Sequence, residues 1–328
     1  MASPLTPPKN IVFLGVPYAS IITMGRPELN LKDMLRPGIG RLGTHPPRKL
    51  VLPTSTDRPN SSASDMPRIS IVVPSFNQGR FIGETLASIV EQAYPNFELI
   101  VVDGGSSDES PAVIKSFESN LAWWVSEPDT GQTAAINKGF RKSTGDIMAW
   151  INSDDRVAPG ALYRVADHFK THPDTQVLYG NRILIDEQSQ EIGRWILPAH
   201  SDNILKWADF VPQETLYWRR GAWEKIGGQL DESFRFAMDW DLLLRFARQH
   251  LKIDRVPCFL GLFRIHQAQK TSREMSSTGQ EEIQKLRYRE LGFLPVRRQV
   301  LFNTLPYLLT ARFLELNAKL GITGNTTT

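Results

Sequence analysis

The chain has 328 residues, of which 41% are hydrophobic and 22% are charged, and its formal net charge is +3. This composition is typical of a soluble globular protein and excludes a collagen-like chain, a wholly disordered chain and a polytopic membrane protein. Because Cys258 is the single cysteine, an internal disulfide and a cysteine-based zinc site are excluded as well.

Charge is distributed unevenly along the chain. Residues 1–68 contain nine Lys or Arg against four Asp or Glu, residues 293–328 contain four against one, and residues 69–292 contain the remaining 25 against 30. A basic nucleic-acid-binding core is therefore not expected, and we predict no nucleic-acid partner. The acidic middle of the chain instead favours a region that collects divalent cations.

Proline content divides the chain into segments. Half of the 22 prolines lie within the first 68 residues, and the stretch 53–67 has the Pro, Ser, Thr and Asp bias of a flexible linker. We therefore predict a Pro-rich extension and linker over 1–67, a folded domain over 68–270 and a C-terminal helical extension over 271–328.

Short apolar runs alternate with helical patterns from residue 69 onwards. Strands are predicted over 69–73, 98–102, 121–125, 146–151 and 176–180, and helices over 80–92, 108–118, 131–143 and 159–170. Continuously apolar strands that alternate with helices are typical of an α/β fold, in which helices cover both faces of a parallel sheet. Ligands bind such sheets at the carboxyl ends of the strands, so chemistry is expected there.

Small polar residues follow the first two predicted strands. Pro-Ser-Phe-Asn-Gln-Gly occupies 74–79, and Asp-Gly-Gly-Ser-Ser-Asp occupies 103–108. The two glycines let the backbone approach a ligand closely, the start of the next helix offers free N–H groups to an anion, and Asp103 suits hydrogen bonding to a ribose or a base. Ordinary βα turns prefer the same residue types, so both interpretations stay open.

The fourth predicted strand ends in four polar residues, Asn152, Ser153, Asp154 and Asp155. Adjacent carboxylates repel each other at the end of a buried strand unless a cation or a hydrogen-bonding partner is present. Hard oxygen ligands suit Mg²⁺ or Mn²⁺, which take further ligands from water and phosphate, so a diphosphate-bearing substrate is the natural complement. The alternative is a solvated turn that caps the helix near Pro159.

Two further acids, Asp239 and Asp241, begin the apolar helical pattern over 236–246. Residues two apart on a helix do not share a face, so at most one of them can point into a common site with Asp155. The other is free to cap the helix or to pair with Arg245 at i+4. A carboxylate beside a bound substrate can act as a general base toward a hydroxyl, and a plain helix start is the alternative interpretation.

The segments PSFNQG, VDGGSSD, EPDTGQTAAINKGF, GDIMAWINSDD and MDWDLLLR, in this order and spacing, resemble the family-2 glycosyltransferases with a GT-A fold over roughly residues 68–270. The resemblance implies a single Rossmann-like domain with a mostly parallel central sheet, followed by a C-terminal helical segment. It implies inverting transfer of a hexosyl group from a nucleotide diphosphate sugar, usually a UDP-sugar, to a hydroxyl of a glycan or lipid-linked saccharide, as in bacterial cell-surface polysaccharide synthesis.

The resemblance also implies roles for individual residues. Asp239 matches the general base, although many relatives have Glu where this chain has Met238. Asp154 and Asp155 match the last acids of a DxD-type motif that holds Mn²⁺ or Mg²⁺, and His266 is either structural or touches the metal or the diphosphate. The residues implied in nucleotide-sugar binding are Pro74, Ser75, Asn77, Asp103, Gly105, Ser106, Gln132, Asn137, Asn152, Ser153 and Asp154.

The segment 295–320 mixes Leu, Phe and Val with four basic residues. Its longest uncharged stretch, 299–311, has 13 residues and contains Pro306, so it is too short to span a bilayer. The segment can lie on an anionic membrane surface, or it can pack on the folded domain or on a second subunit. We expect a cytoplasmic protein that can contact the inner face of the membrane or form a homodimer.

Other function classes stay open beside glycosyl transfer. A sugar nucleotidyltransferase needs a Gly-rich, Lys- or Arg-bearing loop directly after the first strand, and the loop here has one Gly and only Arg80. A module that binds a nucleotide sugar without turnover keeps the same pocket. A dinucleotide-dependent dehydrogenase is disfavoured, because no Gly-x-Gly-x-x-Gly turn follows the first strand.

Overall fold

The computed structural model describes residues 44–51, 66–267, 269 and 275–319. The strands are β1 Thr44–Arg48, β2 Ile69–Ser75, β3 Phe97–Asp103, β4 Trp123–Ser126, β5 Ile147–Trp150, β6 Arg156–Val157, β7 Val177–Ile185, β8 Glu191–Trp195, β9 Tyr217–Arg219 and β10 Ile253–Arg264. The α-helices among these residues are α1 Gly79–Val90, α2 Ser110–Ser116, α3 Gln132–Lys142, α4 Ala161–Thr171, α5 Asp202–Leu205, α6 Arg220–Lys225, α7 Met238–Arg248, α8 Gln280–Leu291 and α9 Arg297–Lys319.

The strands form a mixed sheet in the order β1-β8-β7-β9-β5-β2-β3-β4, with β10 beside β7 and β6 beside β10. The four strands β5, β2, β3 and β4 are parallel neighbours. Within this sheet β6, β8 and β9 run opposite to the other strands. The predicted α/β fold with a mostly parallel central sheet is therefore confirmed.

The central strands are mostly apolar because helices cover both faces of the sheet. All seven residues of β2 are buried. Val72 packs in the hydrophobic cluster that contains α3 and α7, whereas its neighbours Ile71 and Val73 pack in the cluster that contains α1 and α4. Successive strand residues point to opposite faces, so both sets of alternate positions in β2 pack against covering helices.

A short strand lies within the segment predicted to be an extension and linker. Thr44–Arg48 pairs antiparallel with β8 at the sheet edge, and Arg48 hydrogen-bonds the buried Glu191. Pro46 and Pro47 fit there because an edge strand does not need every backbone N–H for pairing. Residues 1–43 and 52–65 lie outside the described residues, and the division of the chain at residues 67 and 270 stays a prediction.

The C-terminal helical segment is present as α8 and α9. Helix α9 packs on the domain through Val300, Thr304, Tyr307 and Leu308, which are all buried. The Tyr307 ring lies 4.5 Å from the ring of Phe210. None of the helices in the described parts of the chain is long and apolar enough to cross a membrane.

Candidate active site

The turns after β2 and β3 are joined through Asp103, which is fully buried at the end of β3. Its carboxylate accepts hydrogen bonds from the Ser106 backbone N–H at 2.9 Å and from the Ser126 hydroxyl at 2.7 Å. The Ser106 hydroxyl also donates to Asp103 and in turn accepts the Asn77 backbone N–H at 2.7 Å. The predicted binding residues of both turns therefore lie together, and Asp103 holds the second turn in shape.

Two residues in these turns have left-handed backbone conformations. Asn77 has φ 51° and Gly105 has φ 79°. The Asn77 side chain accepts the Ser107 backbone N–H at 2.9 Å, which stabilises this conformation. A Cβ at Gly105 would lie 3.0 Å from the backbone nitrogen of Pro128, so the turn packs against the segment after β4 only because Gly105 has no side chain.

The polar residues after β5 connect to two helices. The Gln132 amide at the start of α3 donates to Asn152 Oδ1 at 2.7 Å, and the Asn152 amide lies 3.4 Å from Asp155 Oδ2. The Thr85 hydroxyl of α1 approaches the backbone carbonyls of Ser153 and Asp155 at 2.9 and 2.7 Å. Because β5, β2 and β3 are parallel neighbours, these residues lie at the same sheet edge as Pro74, Ser75 and Asp103.

Asp155 is a buried carboxylate with too little positive charge around it. Its side chain is only 1% exposed, and Oδ1 accepts the backbone N–H of Arg264 at 3.0 Å. Burial raises the pKa of Asp155 well above its usual range, and the charges of Asp154 and Glu214 raise it further. The Arg264 N–H and the Arg182 charge act in the opposite direction and only partly offset this rise.

Asp154 faces His266 across a distance of 2.9 Å between Oδ2 and Nε2. His266 is buried, and its ring lies 4.8 Å from that of Phe81. His266 thus lies next to the acidic pair. The sequence predicts that it is structural or that it touches the diphosphate or the metal, and its position is compatible with each role. The contact with Asp154 orients the imidazole whichever of these roles it has.

Arg264 is a fully buried residue next to the acidic pair. Its guanidinium donates to the backbone carbonyl of Asp154 at 2.9 Å and to Glu84 at 2.9 Å, and it lies over the ring of Phe81. The guanidinium also donates to the Asp186 carbonyl at 3.1 Å. These contacts fix the backbone that carries both acids, so Arg264 holds the motif after β5 in place.

The acidic pair and His266 fit a divalent cation by their chemistry. Carboxylates and imidazole are ligands that Mn²⁺ accepts, and a cation offsets the repulsion that raises the pKa of Asp155. Among the described residues, no group of three or more His, Cys, Asp or Glu side chains is arranged to hold a metal ion. A cation beside Asp154 and Asp155 would therefore take further ligands from water and a substrate phosphate.

Asp209 and Asp239 are a second pair of neighbouring carboxylates, in addition to Asp154 and Asp155. Burial raises the pKa of Asp209 well above its usual range, and the neighbouring charge of Asp239 raises it further. Asp239 lies in the first turn of α7 and is partly exposed, and its Oδ1 accepts the Trp240 backbone N–H at 2.9 Å. Met238 beside it is buried in the hydrophobic cluster, which explains an apolar residue at that position.

Arg182 connects the two acidic pairs electrostatically. It is buried on β7, forms an ion pair with the buried Glu214, and lies over the Phe263 ring at 4.2 Å. Its positive charge acts to lower the pKa of both Asp155 and Asp209. Asp239 and Arg182 therefore act on the pKa of Asp209 in opposite directions, within one electrostatic environment.

Asp241 points away from this environment. Its carboxylate hydrogen-bonds Arg289 of α8 and lies 3.6 Å from Arg245. The prediction that one of the two acids on α7 pairs with Arg245 at i+4 is thus confirmed. The partner Arg289 was not foreseen, because it is 48 residues away in the sequence.

The turn before α7 is held by a residue from the C-terminal segment. Glu282 of α8 accepts the backbone N–H groups of Arg235, Phe236 and Ala237 at 2.7, 2.8 and 2.8 Å. A negative charge at a helix N-terminus satisfies free N–H groups and stabilises the helix dipole. Glu282 therefore fixes the turn that carries Asp239.

Asn137 makes a structural contact instead of facing the acids. Its amide donates to the Leu230 carbonyl at 3.1 Å and to Glu232 at 2.9 Å, and its oxygen accepts the Leu230 N–H at 2.8 Å. These bonds join α3 to the segment before α7. The predicted role of Asn137 at the donor or acceptor stays a prediction, and its described contacts give it a structural one.

A match to a known protein family shows which family this chain belongs to. The family described as "Glycosyl transferase family 2" matches residues 70–264, which include both acidic pairs. The chain belongs to glycosyltransferase family 2. It is a transferase enzyme, and its fold is that of the GT-A glycosyltransferases.

Similar sequences include several glycosyltransferases. An uncharacterised glycosyltransferase of Nostoc sp. is 26% identical over 227 residues, which are 66% of this chain and 70% of that protein. The O-antigen biosynthesis protein RfbC of Myxococcus xanthus is 29% identical over 198 residues, but these are 59% of this chain and only 15% of RfbC.

Similar solved structures have the same fold at low sequence identity. S. aureus TarS 1–349, in complex with UDP-GlcNAc, superposes with a TM-score of 0.59 at 17% identity over 75% of each chain. The mannosyltransferase PcManGT of Pyrobaculum calidifontis, in complex with GDP-Man and Mn²⁺, has a TM-score of 0.55 at 16% identity and covers 80% of this chain and 77% of its own.

Proposed function

We propose that this glycosyltransferase transfers a sugar from a UDP-sugar to a hydroxyl of a glycan or lipid-linked saccharide, with inversion at the anomeric carbon and with help from Mn²⁺ or Mg²⁺. The observation that carries the proposal is the excess of negative charge at Asp154 and Asp155, at the sheet edge where the two turns of the donor pocket also lie. The TarS complex with UDP-GlcNAc supports a uridine donor.

The donor side uses residues of three strand ends. The turn 103–107 binds the nucleoside; Asp103 holds this turn in shape, and Gly105 lets it pack against Pro128. Asp154 and Asp155 would hold the cation, with His266 beside Asp154 and with water and the substrate diphosphate as further ligands, and the cation would offset negative charge on the leaving diphosphate. Arg264 keeps the backbone of the acids in position and binds no substrate in this scheme.

The acceptor side uses Asp239. Its carboxylate takes the proton from the acceptor hydroxyl as the oxygen attacks the anomeric carbon. The bond between that carbon and the diphosphate oxygen breaks at the same time, and the nucleoside diphosphate leaves with the bonding electron pair. A single displacement from the opposite face inverts the configuration. Burial raises the pKa of the nearby Asp209, and the charge of Asp239 raises it further.

Nucleotide release from a panel of UDP- and GDP-sugars, with and without Mn²⁺, tests the proposal. We expect metal-dependent release of UDP that increases when a saccharide acceptor is added. Thermal stabilisation by UDP plus Mn²⁺ without any release would indicate a binding module without turnover. Release that is unchanged by a chelator, or seen only with GDP-sugars, would contradict the metal or the uridine assignment.

We also propose that the reaction takes place in the cytoplasm.

A further inference from the structure

Helix α9 is apolar on two opposite sides. Its inner side packs on the domain, whereas five large apolar residues of the other side are exposed to solvent, with 79% exposure for Phe302 and 62% for Phe313. We call these five residues the outer stripe: Phe302, Leu305, Leu309, Phe313 and Leu316. They recur every three or four residues, so they form one continuous face of the helix.

The outer stripe is not part of the packing within the described domain. At 3.6 residues per turn, it lies on the side of α9 opposite to Val300, Thr304 and Tyr307. The loop before α9 extends the apolar surface with the exposed residues Phe293, Leu294 and Val296. An exposed apolar surface of this extent marks a site of interaction with a membrane or another protein.

Charge around the outer stripe favours an anionic membrane. Arg297, Arg298 and Arg312 are exposed on α9, and Glu315 is the single acid of the helix, paired with Arg312 at 2.8 Å. Residues 293–328 contain four basic residues and one acid. A helix that exposes both an apolar face and basic residues is suited to the interface of a bilayer with anionic headgroups. A two-fold contact between copies would bring these like charges together.

The position of α9 relative to the candidate active site indicates what a membrane contact would do for the enzyme. Tyr307 packs on Phe210, which directly follows Asp209 in the chain. Tyr307 and Phe210 are both buried, so the inner side of α9 packs on the segment that carries Asp209. The anchor of α9 therefore lies beside the acceptor-side carboxylates.

We propose that the outer stripe lies in the interface of an anionic membrane and brings the Asp239 site to an acceptor carried on a lipid. The membrane contact is independent of the reaction, whereas the delivery of a lipid-linked acceptor rests on the proposed function. The apolar residues enter the acyl boundary, and Arg297 and Arg298 remain at the headgroups.

Co-sedimentation of the full chain with vesicles tests the contact. We expect binding to phosphatidylcholine vesicles that contain phosphatidylglycerol, weaker binding to pure phosphatidylcholine, and a decrease with added salt. The triple variant Phe302→Ser, Leu309→Ser and Phe313→Ser should bind at least about tenfold more weakly, because three apolar side chains no longer leave water. Val51→Ser, an exposed apolar residue outside the stripe, is the matched control and should bind normally.

A charge variant separates the electrostatic contribution to vesicle binding from the contribution of the apolar stripe. Arg297→Gln with Arg298→Gln should weaken binding to the anionic vesicles about fivefold for each arginine, and should leave binding to neutral vesicles unchanged. Stabilisation by UDP plus Mn²⁺, measured in parallel on every variant, must remain at the wild-type level for a loss of vesicle binding to be attributed to the stripe. This readout also keeps a failure of the donor assignment distinct from a failure of the membrane assignment.

Two outcomes would overturn the proposal. One is a wild-type protein that stays in the supernatant with the anionic vesicles. The other is a stripe variant that binds those vesicles as well as the wild type does. If the wild type fails to bind and sediments as a dimer that the triple variant loses, the outer stripe belongs to a second copy of the chain and the membrane assignment is wrong.

Discussion

Arg182 and Glu214 form a bidentate ion pair inside the domain, with 2.6 Å between Arg182 Nε and Glu214 Oε1. Both side chains are buried, at 6% and 1% exposure. Glu214 raises the pKa of Asp155, whereas Arg182 acts to lower the pKa of Asp155 and of Asp209. The pair therefore contributes to the charge around both acidic pairs of the candidate site.

Arg182→Met should lower the free energy of unfolding by about 3–5 kcal/mol, because it leaves a buried carboxylate without its partner. Urea denaturation measures this loss. The double variant Arg182→Met with Glu214→Leu removes both charges and should recover most of the stability. Equal stability of the single and the double variant would show that the ion pair is not what holds this part of the core.

Asp239→Asn should lower sugar transfer by about two orders of magnitude or more, because the acceptor hydroxyl loses its general base. Stabilisation by UDP should be unchanged, since Asp239 is on the acceptor side. The matched control is Asp241→Asn on the same helix. Asp241 contacts Arg289 and Arg245, so its loss should affect the melting temperature more than the chemistry. Wild-type turnover by the Asp239 variant would remove this residue from the mechanism.

Without metal, Asp155 should make the protein less stable as the pH rises. Its folded-state pKa is raised, so the ionised form is disfavoured by folding. The penalty is absent below about pH 4, where the carboxyl is protonated in both the folded and the unfolded state, and grows as the pH rises through the folded-state pKa.

Asp155→Asn removes this penalty and still offers an oxygen to the Arg264 N–H. The variant should therefore melt at a higher temperature than the metal-free wild type at neutral pH, and the two melting temperatures should converge near pH 4. Thermal unfolding over a pH series checks this. The same variant should lose the stabilisation that UDP plus Mn²⁺ gives the wild type. A variant that is less stable than the wild type at neutral pH would contradict the assigned charge excess.

Gly105→Ala should weaken nucleotide binding, because the new Cβ meets the Pro128 backbone nitrogen at 3.0 Å and a non-glycine residue at φ 79° costs about 1–2 kcal/mol. Gly131→Ala is the matched control. Gly131 also has a positive φ, 128°, but a Cβ there meets nothing within 4 Å. Titration calorimetry with UDP should therefore show a larger loss of affinity for Gly105→Ala. The reverse order would argue against a nucleotide beside this turn.

The strand ends and their polar residues could be predicted because they depend on local patterns. Apolar runs followed by Asp103 or Asp154 identify parallel strands and their ligand-binding edge. Asp241 could be assigned to Arg245 because the spacing is four residues along one helix. The sequence contains no comparable signal for Arg264 or Arg182, because their partners lie far along the chain and only the folded sheet brings them together.

The N-terminal strand is a second feature that the sequence patterns do not predict. Thr44–Arg48 contains two consecutive prolines, which predict a linker, and it pairs only because it lies at an edge. The pairing of Asp209 with Asp239 is a property of three-dimensional proximity, because no pattern along the chain relates the two residues. Patterns along the chain thus locate the ends of elements, and they do not reveal which buried charges oppose each other.

The contact of Glu282 with the turn before α7 has a practical consequence for any shortened form of this enzyme. Residues 70–264 contain every acid of the proposed chemistry, so a fragment cut after that stretch looks sufficient on paper. Such a fragment would lose the carboxylate that holds the three N–H groups ahead of Asp239. The smallest useful expression product therefore has to retain α8. Designs based on this scaffold should keep that helix together with the proposed catalytic residues.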